Sequence, residues 1–72
     1  MNDDPEVQLH PAIQHVLAFF AYEHLPAHLQ EISRPFGQLA HQCATRAPSS
    51  QETTVALRKL LEAKDAAVRA AL

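Results

Sequence analysis

The chain has 72 residues, of which 47% are apolar, and a formal net charge of −2, so it is long enough for one domain at most. Six basic residues against eight acidic ones supply no phosphate-neutralising patch, which excludes a DNA or RNA duplex as the expected partner. No apolar run approaches membrane-spanning length, and the acidic start MNDDPE lacks the basic region of a secretory signal, so we expect a soluble cytoplasmic protein.

The first nine residues, Met1 to Leu9, are mostly polar, contain Pro5 and show no hydrophobic period. Such a composition predicts a flexible tail, and a neighbouring subunit is the surface on which it would order. The helical domain is expected to span residues 10–72.

A short first helix is predicted from Pro11 to about Tyr22 or His24. Proline is favoured at the first helical position, where the missing N–H costs nothing. Apolar residues then follow at helical spacing, at Ile13, Val16, Leu17 and Phe20.

The second predicted helix begins near Leu25 and ends near Arg46. Its apolar residues alternate between steps of four and three, a heptad-like seam formed by Leu25, Leu29, Ile32, Phe36, Leu39 and Cys43. Pro35 lies inside this helix and removes the N–H that would bond Glu31. The unbroken phase of the seam favours a kinked, continuous helix over a restart with Ser33 as its cap.

The only glycine of the chain, Gly37, lies in the middle of this second helix, at a cost of about 1 kcal/mol relative to alanine. Ser33, Ala40 and Ala44 lie on the same side of the helix. We therefore expect a close approach at this row of small residues. Another helix packing backbone to backbone is favoured slightly over a ligand.

The third predicted helix runs from Ser49 to Leu72. Ser49 and Glu52 have the spacing of a capping box. Apolar residues recur on one face at Leu57, Leu61, Val68 and Ala71 or Leu72, and charged residues recur on the other at Arg58, Glu62, Asp65 and Arg69. Asp65 is placed to pair with Arg69 one turn later.

A second apolar strip lies beside the first on this last helix, formed by Ala56, Leu60, Ala63, Ala67 and Ala70. The apolar face is therefore wider than one partner helix covers. The short connection from Arg46 to Pro48 predicts that the last helix returns antiparallel. The expected fold is all-α: a short N-terminal helix followed by an antiparallel two-helix hairpin. Because burial and chain entropy nearly cancel at this size, we expect a homo-oligomer.

Few residues offer chemistry. His24 and His28 are one turn apart, but Pro26 lies between them and no third ligand completes a set, so no metal is predicted. Cys43 is the only cysteine, which rules out an intramolecular disulfide, and its place on the apolar seam predicts a buried, inert thiol. Without an activated nucleophile or an acid–base pair, we expect neither an enzyme nor a cofactor.

Lys64 is less ordinary, because it lies on the apolar side of the third helix. Its charge must either reach solvent along its own stem or meet an anion, and the first is favoured because a lysine stem covers apolar surface readily. Tyr22, Arg34, Arg58 and Arg69 offer an aromatic face and guanidinium forks, the groups that a flat base and a phosphate require.

A series of mostly structural positions carries a resemblance: Tyr22 with Leu25-Pro26, Leu29-Gln30, Ser33, Phe36, Leu39-Ala40, and ALRKLLEAKDAAVRAAL from Ala56 to Leu72. In these positions the chain resembles the small helical-hairpin proteins of bacteriophages. That family contains the anti-CBASS and anti-Thoeris sponges, which sequester cyclic oligonucleotide or cyclic ADP-ribose signals without degrading them. The resemblance implies a compact homo-oligomer, often a hexamer, in the infected host cell, with ligand sites between protomers.

The resemblance also implies site residues. In the cyclic dinucleotide sponges an aromatic side chain near the start of the hairpin stacks on a base, and Tyr22 is the matching position. A lysine about four helical turns later contacts the phosphates in those relatives, and Gly37 stands there in this chain. Either another cation such as Arg34 substitutes, or a different signal is bound, or the activity is lost and the fold kept. Arg34 is the first choice because its side chain could fill the space that Gly37 leaves open, and Arg58 and Lys64 come next.

The expected function is thus that of a phage anti-defence sponge for a cyclic di- or trinucleotide or a related signalling nucleotide. The alternative is a structural or protein-interaction module whose apolar strips dock a host or virion partner. A sponge needs basic groups from neighbouring protomers to converge on an enclosed pocket. An interaction module scatters them and exposes a continuous apolar patch.

Overall fold

The computed structural model of the chain describes residues 9–48 and 50–72. Within these ranges the chain forms the helices α1 (Pro11–Ala18), α2 (Ala27–Arg46) and α3 (Gln51–Ala70), and no strand. The all-α class is therefore confirmed for the described residues. None of these helices has the length and apolar character needed to cross a membrane.

The predicted tail lies outside the described residues except for Leu9. This residue is partly buried and packs against the hydrophobic core. Its carbonyl oxygen accepts a hydrogen bond of 2.6 Å from the side-chain amide of Gln14. The path of the chain into α1 is fixed from Leu9 onward.

Helix α1 begins at Pro11 as predicted. His10 caps it, because its Nδ1 atom accepts a hydrogen bond of 3.0 Å from the N–H of Ala12. All four apolar residues of the predicted period are buried, namely Ile13, Val16, Leu17 and Phe20.

The predicted end of α1 at Tyr22 or His24 is wrong, because the helix ends at Ala18. The N–H groups of Phe19 and Phe20 donate to carbonyls three residues earlier, each at 3.0 Å. Such bonds tighten the last turn and stop the i to i−4 ladder. Residues 19–26 then lead to the next helix.

Helix α2 is continuous through Pro35, which confirms one helix here and excludes a restart at Ser33. The kink stays a prediction. The predicted seam is displaced, because the buried face is centred on Leu29, Ser33, Gly37, Ala40 and Ala44. The larger seam residues Ile32, Phe36 and Cys43 are only half-buried, and Leu39 is 47% exposed. Small side chains face the core because they allow a neighbouring segment to approach closely.

The predicted capping box of α3 is also wrong. Ser49 lies outside the described residues, and the N-cap is Ser50, whose hydroxyl oxygen accepts the N–H of Thr53 at 3.3 Å. The hydroxyl of Thr53 in turn donates to the carbonyl of Pro48. An extended backbone at Ser50 makes it the last non-helical residue, so the cap is one position later than expected.

The core forms where α1 and α2 pack on the first half of α3. Its fully enclosed members include Leu57, Ile13 and Phe20, with exposed fractions of 0%, 1% and 2%. The second apolar strip of α3 is left largely uncovered: Leu60 and Ala67 are half-buried, and Ala56, Ala63 and Ala70 are exposed.

Candidate functional site

Tyr22 lies in the connection between α1 and α2, in a turn that is fastened to α2. Its carbonyl accepts the N–H of Leu25 at 3.0 Å, and its own N–H donates to the carboxylate of Glu23 at 3.3 Å. The side-chain amide of Gln30 donates to the carbonyls of Glu23 and Leu25 at 3.2 and 2.8 Å. These bonds hold the turn, and with it Tyr22, beside the first turns of α2.

The sequence reasoning gave Gln30 no role in positioning. A clue lies at Pro26, the N-cap of α2, which makes no side-chain capping bond and has no N–H of its own. Because proline has no N–H, it cannot donate a hydrogen bond to the carbonyl groups of the turn before it, and these carbonyls need another donor. The side-chain amide of a glutamine one turn later can reach them.

A glycine in the middle of α2 predicted that another segment approaches closely there, and Gly37 does have such a neighbour. The neighbour is not a helix but the segment with Phe20 and Tyr22. A Cβ atom added at Gly37 would lie 3.3 Å from the carbonyl oxygen of Phe20 and 3.6 and 3.7 Å from two ring carbons of Tyr22. The segment after α1 therefore fills the space that the glycine leaves open. Gly37 is buried, so we do not expect it to contact a ligand. Its role in a site would be to leave room for the Tyr22 ring to pack against α2.

Arg34 lies over that ring, with its guanidinium carbon 5.4 Å from the ring centroid of Tyr22. This is the geometry of a cation–π contact. Arg34 does not fill the space at Gly37, which corrects the expectation from sequence. Its side chain is exposed while Tyr22 is half-buried, and Arg34 forms no ion pair with any carboxylate of residues 9–48 or 50–72. Tyr22, Arg34 and Gly37 thus form one cluster.

One turn before Gly37, Ser33 presents a defect in the same buried face. Its side chain is 0% exposed, and its hydroxyl has no hydrogen-bond partner among the described residues. A buried hydroxyl without a partner costs free energy that an apolar side chain would not.

Arg58 lies apart from this cluster within one chain. It is exposed and lines a groove between the N-terminal ends of α1 and α3. Tyr22, by contrast, follows the C-terminal end of α1.

Lys64 occupies a third location. Its side chain is 12% exposed, and its ammonium lies 2.9 Å from the carboxylate of Asp65. The charge meets an anion, so the favoured expectation of a lysine reaching freely into solvent is wrong. The predicted pairing of Asp65 with Arg69 is also wrong, because Lys64 takes its place in the described chain. A cleft of about 200 Å³ beside this pair is lined by Phe19, Ala21, His24, Leu25, Val68 and Arg69.

The histidines and Cys43 are the remaining candidates for metal chemistry. No three side chains of the His, Cys, Asp and Glu types come together there as a metal set. Cys43 is half-buried and packs against the core. His15 contacts the exposed ring of Phe19 edge to face, with ring centroids 5.4 Å apart.

Comparison with known proteins found no matching family model, no matching curated protein and no matching solved structure.

Proposed function

We propose that this chain is a non-enzymatic sponge that sequesters a cyclic oligonucleotide or cyclic ADP-ribose type signal in the cytoplasm of a phage-infected cell. The observation that carries this proposal is the contact between the Arg34 guanidinium and the Tyr22 ring. It joins the two groups that a nucleotide requires, a planar aromatic surface for the base and a forked cation for the phosphate.

The energies of the two contacts favour exchange of Arg34 for a base. A cation–π contact at an exposed site is worth about 0.5–1 kcal/mol, whereas stacking of a base on an aromatic side chain is worth about 1–3 kcal/mol. A base can therefore take the ring face that Arg34 covers. The displaced guanidinium is then free to bind a phosphate oxygen pair of the same ligand.

The proposal includes an antiparallel arrangement of α2 and α3. It also includes a homo-oligomer, which the resemblance suggests is a hexamer. The short connection of residues 47–50 and the packing of α2 on α3 support the hairpin. The exposed alanines of the second strip, Ala56, Ala63 and Ala70, support self-association. In such an assembly Arg58 and Lys64 of a neighbouring copy are the candidates to complete the site.

Calorimetric titration with cyclic dinucleotides, cyclic trinucleotides and cyclic ADP-ribose isomers tests the assignment. At least one ligand should bind tightly, and Tyr22→Ala should weaken it by about 1–3 kcal/mol while Tyr22→Phe keeps the ring and most of the affinity. Arg34→Gln should also weaken binding. Arg46→Gln is the matched control, because it removes an exposed arginine at the C-terminal end of α2, about three turns beyond Arg34. If no ligand of the panel binds at micromolar concentration, the sponge proposal fails.

Recovery of the ligand tests the absence of turnover. After incubation the protein is denatured by heat, and the released ligand is analysed by chromatography. A sponge returns the cyclic nucleotide unchanged. A linear product would show that the chain is a catalyst and would overturn the sponge proposal.

The second candidate is a protein-interaction module. Within one chain the basic groups do not converge, since Arg34, Arg58 and Lys64 lie at three separate places. Large apolar side chains are exposed as well, at Phe19, Leu39, Val55 and Leu72. Scattered basic groups and exposed apolar side chains are typical of a surface that docks a protein. The interaction module therefore replaces the sponge if no nucleotide of the panel binds.

A further inference from the structure

A groove with a volume of about 660 Å³ lies at the N-terminal ends of α1 and α3. It lies apart from the Tyr22 cluster of the same chain, because Tyr22 follows the C-terminal end of α1. Its lining combines a guanidinium, an imidazole, polar side chains and apolar groups: His10, Ala12, Ile13, Ser50, Gln51, Thr54, Val55 and Arg58.

The charged and polar groups of this groove suit an acidic occupant. No aspartate or glutamate lines it among the residues that the structure describes. Arg58 is exposed and forms no ion pair with a described carboxylate. The Nδ1 atom of His10 accepts the N–H of Ala12. In the neutral imidazole the proton is then on Nε2, and this Nε2–H group is a hydrogen-bond donor. The groove thus offers hydrogen-bond donors and positive charge beside an apolar wall that includes Val55.

The chain itself supplies a segment with the complementary charge. Residues 1–8 contain Asp3, Asp4 and Glu6 and no basic side chain. They join the described chain at Leu9, next to His10 on the groove wall, and Leu9 is anchored by its packing on the core and by Gln14.

The distances permit occupation of the groove by the same chain. Glu6 stands four positions before His10, an extended span of about 13 Å. Arg58 stands seven positions after Gln51, about 10 Å along α3. A tethered segment also has a high effective concentration at a neighbouring groove, which favours it over an acidic peptide from solution.

We propose that the acidic segment with Asp3, Asp4 and Glu6 occupies this groove in its own chain and places a carboxylate on the Arg58 guanidinium. The groove is then a docking surface for an acidic peptide, and its resident occupant is the N-terminal segment. An external acidic partner must displace that segment before it can bind.

Nuclear magnetic resonance of the full-length chain tests this assignment. The triple substitution Asp3→Asn, Asp4→Asn and Glu6→Gln should shift the backbone amide signals of Val55 and Arg58. Arg58→Gln should shift the same region, and adding the triple substitution to it should produce little further change, because the shared ion pair is already lost. Glu31→Gln is the control, since it neutralises an exposed carboxylate on α2 and should leave the groove signals in place.

Salt and concentration complete the test. At 1 M salt the screening length falls to about 3 Å, so the groove signals of the unmodified chain should move toward those of the triple variant. The shifts should not depend on protein concentration. Groove signals that are identical in the unmodified and triple-variant chains overturn the proposal, and shifts that grow with concentration overturn it in favour of a segment donated by a second copy.

Discussion

The two halves of α3 differ in their surroundings, and the half with more apolar residues, six of ten against four, is the less buried one. In the first half, Ser50 caps the helix, and Thr53 and Leu57 are buried at exposed fractions of 5% and 0%. Beyond Leu57 no residue of α3 is fully buried in the described chain. The reason is the length of α1, which has 8 residues and spans about 12 Å, against about 30 Å for the 20 residues of α3.

The apolar face of α3 is therefore wider and longer than α1 and α2 of the same chain can bury. The N-terminal half of α3 obtains its cover from α1, and the C-terminal half keeps Leu61 and Val68 only half-buried. This difference indicates where a second copy or another partner would add the most buried surface. Substitutions at Leu57, Ser50 and Ala63 test this difference, and a substitution at Ser33 tests the buried face of α2.

The largest effect is expected from Leu57→Ala, which should lower the free energy of unfolding by about 2–5 kcal/mol because it opens a cavity in an enclosed core. Leu61→Ala is the matched control in the second half of α3 and should cost clearly less, because Leu61 is only half-buried. Urea unfolding followed by circular dichroism, at a concentration low enough to avoid self-association, measures both. Equal losses would show that the second half of α3 is packed as well as the first.

Ser50→Ala should cost about 1 kcal/mol, because it removes the hydroxyl that accepts the Thr53 N–H at the well-packed end of α3. Ser50→Asp keeps a capping oxygen and should stay within a few tenths of a kcal/mol of the unmodified chain, about the difference between good caps. The same urea titration applies. A loss in Ser50→Asp as large as that in Ser50→Ala would contradict the capping role.

Ser33→Ala should raise the free energy of unfolding by about 1 kcal/mol, since the buried hydroxyl has no partner among the described residues and alanine is the better helix former. Thr53→Val serves as the opposite control. It removes a buried hydroxyl that does have a partner, the Pro48 carbonyl, and should be destabilising. A destabilised Ser33→Ala chain would mean that the hydroxyl is satisfied in solution.

Ala63→Glu should change the free energy of unfolding of the isolated chain by less than about 0.5 kcal/mol, because Ala63 is exposed on the second strip. It should nevertheless prevent self-association, since an unpaired carboxylate would be buried between copies. Gln42→Glu adds the same charge to an exposed position of α2 and is the control. Sedimentation velocity over a dilution series compares them. An unmodified chain that stays monomeric at every concentration would refute the proposed oligomer.

The sequence by itself determined those features that depend on local spacing. The period of Ile13, Val16, Leu17 and Phe20 predicted the buried face of α1, and the continuous phase across Pro35 predicted a single helix. The cost of Gly37 inside a helix predicted a close approach. These inferences succeed because helical periodicity and glycine propensity are properties of the chain segment itself.

Only the tertiary structure decided which groups meet. The end of α1 at Ala18 turns the chain so that Tyr22 covers Gly37, and this in turn brings Arg34 over the ring. The same long-range packing centres the buried face of α2 on small residues. Residues far apart in sequence share a contact because of how close two segments can approach, and that distance is set by the side chains of both segments together.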